Sequence, residues 1–260
     1  MKFSCLHGEM LSRELGSSDT TQLFTTARRQ DTINQAQLEW VKQTESMQRT
    51  STLSLSSGVQ EYDLEANISD FLWLMSEGPT ITVLDSASNT AYYAGKDDLP
   101  RHDITWMNSA WTNWRDASPG RPISWYLREQ DGKTSIGIYP APDISSGETW
   151  TIKIPYIARP TYMSISTEVP FTVALGTTSA AVIAILEPWH KALPHYAASI
   201  LERMRKNYDG VQRQLQLFAA EVADYLQRHR PKGGGHITFL RRYRGERRPN
   251  RGAYDPYRWP

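Results

Sequence analysis

The chain has 260 residues, enough for one domain or two small ones and for a buried core that needs no disulfide or metal staple. Charged residues make up 22 % and apolar residues 39 %, ordinary for a globular protein, and the single cysteine, Cys5, excludes a disulfide framework and a cysteine-rich zinc site. The net charge of +1 hides a split: nine basic residues from Arg230 onward stand against only Glu246 and Asp255, so that stretch carries +7 and residues 1–229 carry −6.

No run approaches the roughly 18 apolar residues of a membrane span, and Met1–Glu9 lacks the apolar stretch of a signal peptide. A reducing compartment is therefore expected. Nine Trp and thirteen Tyr against six Phe is an aromatic set suited to half-wet sites: a β-rich core with cross-strand pairs, or interfaces.

In chain order, Gly8–Gly16 predicts a short helix around Met10, Leu11 and Leu15. Asp19 then reads as an N-cap, with Gln22 closing a capping box. Leu23, Phe24, Ala27, Ile33, Ala36, Trp40 and Val41 follow at near-helical spacing, which predicts helix over 19–47 in one piece or two. From Thr50 the period drops to two. Leu53 and Leu55, a turn at Gly58, then Tyr62 and Leu64 predict a β-hairpin. Further predicted strands are Phe71–Ser76, Thr80–Asp85, Ile123–Arg128, Thr134–Tyr139 and Trp150–Ile157, with turns at Glu77–Pro79, Glu129–Lys133 and Asp143–Gly147. Between them, Leu99–Trp114 reads as a short helix plus a loop, and Pro160–Thr178 as a long connection.

Helix returns near Ala180, with Pro188 favouring a start close to Glu187. Ile183, Leu186, His190, Leu193, Ala197, Ile200, Leu201 and Met204 share one face, and Pro194 forces a kink or a restart. Asp209 is expected to cap a second helix carrying Val211, Leu215, Phe218, Val222, Tyr225 and Leu226, which ends before Pro231. The expected organisation is α+β: an α-helical bundle from the N- and C-terminal helices, with a β-rich domain inserted between them. Its parts are 1–48 (helical), 49–179 (the β-rich insertion), 180–230 (a helical hairpin) and 231–260 (an extended C-terminal arm).

Catalytic signatures are missing. There is no phosphate-binding glycine loop, dinucleotide fingerprint, H-E-x-x-H or G-x-S-x-G. His190 and His195 are five apart and lie off a common helix face, while Asp98 and His102, four apart, make a two-ligand site at best. Asp97, Asp98 and Asp103 near Trp106, Trp111 and Trp114 have the composition of a sugar-cleaving cleft, against which a solvated loop with packed indoles is the plainer reading. No catalytic, cofactor or metal site is expected.

The tail is the sharpest signal. Arg241, Arg242, Arg244, Arg247, Arg248, Arg251 and Arg258 interleave with Tyr243, Tyr254, Tyr257 and Trp259. Guanidinium forks suit phosphate and carboxylate alike, and the aromatics add stacking or pocket filling, so nucleic acid and an acidic protein groove fit equally well. The 25 residues from His236 can span about 80–90 Å when extended, and they are too polar to fold alone.

Several motifs occur in a fixed order. Ile33-Asn34-Gln35-Ala36-Gln37 with Glu39 gives I-N-x-A-x-x-E. Leu53-x-Leu55, Gly58 and Tyr62-x-Leu64 follow, then Pro122-x-x-x-Tyr126, Ile138-Tyr139-Pro140-x-Pro142, Tyr156 and Pro160, and finally Trp189-His190-x-x-Leu193-x-x-Tyr196-Ala197. Together they resemble the head-to-tail adaptor, or connector, proteins of tailed bacteriophages from about Thr20 to Leu226. The resemblance implies a structural virion protein, made in the host cytoplasm, with no catalysis and no membrane. It implies a dodecameric ring beneath the portal protein, a tail or nozzle protein below, and DNA passing through the channel without sequence-specific contact. The arm is then expected to dock on the portal; the alternative is a nucleic-acid-binding protein that holds DNA with the same arm.

Overall fold

The computed structural model describes residues 2–16, 24–75, 78–84, 90–94, 99–111, 113–164, 168–172 and 186–229. Phe3–Cys5, Leu6–Met10 and Leu11–Leu15 form one helical stretch, α1, whose middle turn is π-wound. It starts earlier than the expected Gly8, because Phe3 and Leu6 extend the apolar stripe of Leu11 and Leu15 and all four are buried. Helix α2 spans Thr26–Thr44 in a single piece. Its cap is Thr25, whose hydroxyl accepts from the Arg28 amide; the expected box at Asp19 and Gln22 lies outside the described residues.

Two antiparallel sheets follow. Strands β1 (Gln48–Ser54), β3 (Phe71–Leu74), β4 (Thr80–Leu84), β5 (Thr90–Ala94) and β8 (Thr149–Ala158) form the larger, in the order β1-β8-β4-β5 with β3 also on β8. Strands β2 (Glu61–Asp63), β6 (Ser124–Gln130) and β7 (Lys133–Tyr139) form the smaller, in the order β2-β7-β6. A single helical turn, α3 (Leu64–Asn67), follows β2, and α4 (Ile104–Ala110) precedes the smaller sheet's hairpin.

The hairpin expected over residues 53–64 does not form. β1 and β2 are strands, but they lie in different sheets: β1 pairs with β8 over Gln48–Ser54, and β2 pairs with β7. A seven-residue ladder on β8 satisfies more of the β1 backbone than the three residues of β2 could. Strand β5 was not anticipated, since Thr90-Ala91-Tyr92-Tyr93-Ala94 shows no clean alternation.

At the C-terminal end, Glu187–Trp189 makes a 3₁₀ turn, α5 covers Ala192–Met204 and α6 covers Tyr208–His229. Pro194 stands third in α5, where a missing N–H costs nothing, so it marks a restart and not a kink. The cap of α6 is Asn207, whose side chain accepts from the Gly210 amide; Asp209 sits within the first turn instead. Helices α2 and α6 both pack on α5, and α1 lies across α5 as well. One continuous cluster of buried side chains runs from Phe3 and Trp40 through Ile152 and Ile154 to Leu201 and Tyr225, so helices and larger sheet share a core. Among the described residues no helix is long and apolar enough to cross a membrane.

The smaller sheet closes around a glycine. β6 and β7 join through Asp131 and Gly132, both at positive φ (54° and 74°), the backbone of a tight two-residue hairpin turn. Gly137 lies between Tyr126 on β6 and Glu61 on β2. The Tyr126 ring crosses directly over Gly137 to donate its hydroxyl to Glu61 at 2.9 Å, and Arg128 clasps the same carboxylate at 3.0 and 3.2 Å. A Cβ on residue 137 would stand 2.0 Å from the ring. Gly137→Ala is therefore expected to expel the ring and to cost about 2–3 kcal/mol, read as a lower urea midpoint. Tyr126→Phe, which keeps the ring and loses one hydrogen bond, should cost only about 1 kcal/mol.

Candidate assembly interfaces

Three regions carry the motifs and residues singled out in the sequence. The first is the I-N-x-A-x-x-E helix. Ile33 and Ala36 turn into the core, and Asn34 and Gln37 are buried beside them. The Asn34 amide group donates to the Met163 carbonyl at 3.0 Å while its oxygen accepts from the Met163 amide at 2.8 Å, so one side chain replaces a strand partner. Gln37 donates to the Thr161 carbonyl at 2.8 Å and accepts from the Phe171 amide at 3.3 Å. Two side-chain amides thus hold both limbs of the 160–172 connection against α2. The buried Phe171, at φ 63°, keeps a left-handed backbone that a bulky residue seldom adopts. Asp31 accepts the hydroxyl of Tyr162 on the same face. The buried positions of this motif therefore build the body.

The second region is the C-terminal end of α6. Trp40 is fully buried and meets Trp189, Phe218 and Tyr225 with ring centroids 5.9, 6.0 and 5.5 Å away. This aromatic knot fixes the last turns of α6, with the Arg228 guanidinium over Trp189 and its Nε bonded to Asp224. The chain leaves α6 at His229. All eleven candidate arm residues, Arg241, Arg242, Tyr243, Arg244, Arg247, Arg248, Arg251, Tyr254, Tyr257, Arg258 and Trp259, lie outside the described residues.

His190 and His195 go separate ways. His195 Nδ1 lies 2.9 Å from Gln214 Oε1 and 3.3 Å from Glu14, and the Gln214 amide donates to Glu14, so this trio ties α1 to α5 and α6. His190 is fully buried against Phe171 with neither ring nitrogen hydrogen-bonded among the described residues. Burial holds its pKa down at about 4.

The third region is the tryptophan-rich lobe on the smaller sheet. Met107, Trp114 and Tyr126 form a small core separate from the main one, edged by Ile104, Trp111 and Tyr139. A line of ring contacts leads outward from it: Tyr139 stacks on Trp111 at 4.5 Å, Trp111 meets Trp106 edge to face at 5.1 Å, and Trp106 stacks on His102 at 3.9 Å. Trp106 is 44 % exposed and Ile123 53 % exposed. Asp103 caps α4, accepting from the Thr105 amide at 2.7 Å, which holds its carboxyl below the ordinary range. That capping role replaces the sugar-cleaving reading for Asp103; Asp97 and Asp98 lie outside the described residues. The exposed indole was legible only as composition, since nothing in the spacing of Leu99–Trp114 tells which ring faces water.

The profile of the SU10 adaptor protein family matches residues 9–245. The chain belongs to that family, a phage head–tail adaptor family, and its role is that of a structural virion component. Comparison with curated proteins gives no match.

Two substitutions test the geometry. Asn34→Ala strands the buried amide and carbonyl of Met163 and is expected to cost about 2–4 kcal/mol in urea unfolding. For His190, a folded pKa of about 4 against an ordinary 6.5 means that the unfolded chain binds the extra proton. Its contribution is complete above pH 6.5 and is lost as pH falls toward 4, amounting to about 3 kcal/mol. His190→Leu removes that slope. The stability difference between wild type and variant should therefore shift between pH 7 and pH 4.5, and a difference independent of pH would refute the assignment.

Proposed function

We propose that copies of this chain close into a dodecameric ring beneath the portal and join the capsid to the tail, with residues 231–260 as a portal-docking arm. A tail or nozzle protein docks below, and DNA passes through the channel without sequence-specific contact. The chain is made in the host cytoplasm and ends in the virion. The observation that carries this reading is the change of character at the end of α6. Residues 1–229 carry −6 and their described part has a core closed by Trp40 and Tyr225, whereas the chain from Arg230 onward carries +7 with aromatics interleaved. An acidic annulus repels the duplex and lets it slide, while a basic lumen would grip it. The cationic arm is therefore better clamped to protein, where Arg and aromatic anchors usually carry most of the affinity.

Deleting residues 233–260 tests this. The expected product is a folded body with an unchanged urea midpoint that no longer joins heads, leaving tailless capsids that leak DNA. Docking of the truncated chain at full occupancy would remove the arm from the portal contact. Steeply salt-dependent DNA binding by the full chain, lost on truncation, would make DNA the partner of the arm.

A further inference from the structure

The larger sheet ends on β1 at one side and on β5 at the other, and β1 is the longer of the two edges. Leu55 N–H donates to the Trp150 carbonyl and Ala158 N–H to the Met47 carbonyl, both at 2.8 Å. These two bonds fix the alternation along β1: Arg49, Ser51 and Leu53 point their backbone groups at β8, and Gln48, Thr50, Thr52 and Ser54 point theirs away. The outward N–H and C=O groups of those four residues have no partner among the described residues. Their side chains are exposed and uncharged.

The smaller sheet protects its edges. In the smaller sheet, β2 is only three residues long. Strand β6 is covered where Trp125 donates to the Pro100 carbonyl and accepts from the His102 amide. β1 has none of the usual guards. It holds no proline and its ladder with β8 has no bulge; its one charge, Arg49, is paired with Asp70 at 2.9 Å. A seven-residue edge left in this state is a template for another strand.

We propose that the β1 edge pairs with the β5 edge of a second copy of this chain, which makes the larger sheet continuous from copy to copy around the ring. This rests on the ring reading above and names the surfaces that close it. Strand direction supports the choice. β1 is antiparallel to β8, β8 to β4, and β4 to β5, so β1 and β5 run in opposite directions at the two ends of one sheet. A copy rotated about a ring axis brings its β5 antiparallel against β1. The contact joins two different edges, so it is heterologous and propagates until the ring closes. Neither strand carries a charge that would oppose the pairing, since Thr90–Ala94 is neutral and the Arg49 charge is already paired.

The test uses virions whose only copy of the gene encodes Thr52→Cys and Tyr93→Cys in a Cys5→Ser background, treated with a short bismaleimide cross-linker. A denaturing gel should show a ladder of covalent multimers, and either cysteine alone should give none. Dimers from Thr52→Cys alone would mean that β1 meets another β1, and a cross-link to a different virion protein would mean another occupant; both overturn the proposal. So does an absent ladder in particles that hold the chain in ring copy number, and this outcome leaves the ring itself standing. Particles holding a single copy would sink the ring reading and this one together. Thr52→Pro supplies an independent arm. It removes an N–H that faces away from β8, so the free chain should keep its urea midpoint while incorporation into particles falls on the order of tenfold. Unchanged incorporation would count against the β1 edge.

Discussion

Strand β8 is the constraint on which the fold depends. One of its edges is filled along Thr151–Ile157 by β1, and the other is divided between β4, at Thr149–Lys153, and β3, at Tyr156–Ala158. Pro155 stands at the division. Its carbonyl accepts from Met75 on the β3 side, so its missing N–H falls where β4 has ended, and the proline takes no bond from either ladder. On the core side, Trp150, Ile152, Ile154 and Tyr156 alternate into the shared core, and the Tyr156 hydroxyl reaches Asp70, which also holds Arg49 on β1. Because β1 follows directly from α2 and β8 leads directly into the 160–172 connection, the strand couples sheet to bundle. Asn34 and Gln37 then complete the circuit by fastening that connection back onto α2.

What the sequence reveals of this arrangement follows from how local each signal is. The period of two around Leu53 and Leu55 is a local property, and strands do occur there. Their partner sits about a hundred residues away on β8, and nothing local in Thr50–Leu64 names it. The apolar stripe of α2 is legible for the same reason, while Asn34 and Gln37 are polar residues on its buried face, and only the tertiary fold explains them. Gly137 reads as a weak point in a strand until the Tyr126 ring is placed over it. The cap of α2 is Thr25, a residue that the sequence pattern does not single out. Of the two proposed interfaces, the arm stands out by charge and composition alone, whereas the open edge of β1 is invisible in sequence because it consists of backbone groups.

These two kinds of contact differ in what controls them. An arm of +6 docking on carboxylates is an electrostatic contact, steered over roughly the 8–10 Å of a physiological Debye length and weakened by salt. A strand edge is neutral; its strength comes from directional N–H to C=O bonds, which salt scarcely screens. It also demands near-correct register before it yields anything. Under the proposed function this division of labour orders assembly: the charged arm captures the portal from a distance, and the capture raises the local concentration of copies. Edge pairing, too demanding to nucleate from dilute monomers, then follows between neighbours already held side by side. An exposed edge is a hazard in a free protein, and the exposed side chains of β1, Gln48, Thr50, Thr52 and Ser54, none of them aromatic or aliphatic, keep it weakly self-associating until, under the proposed function, the portal gathers its partners.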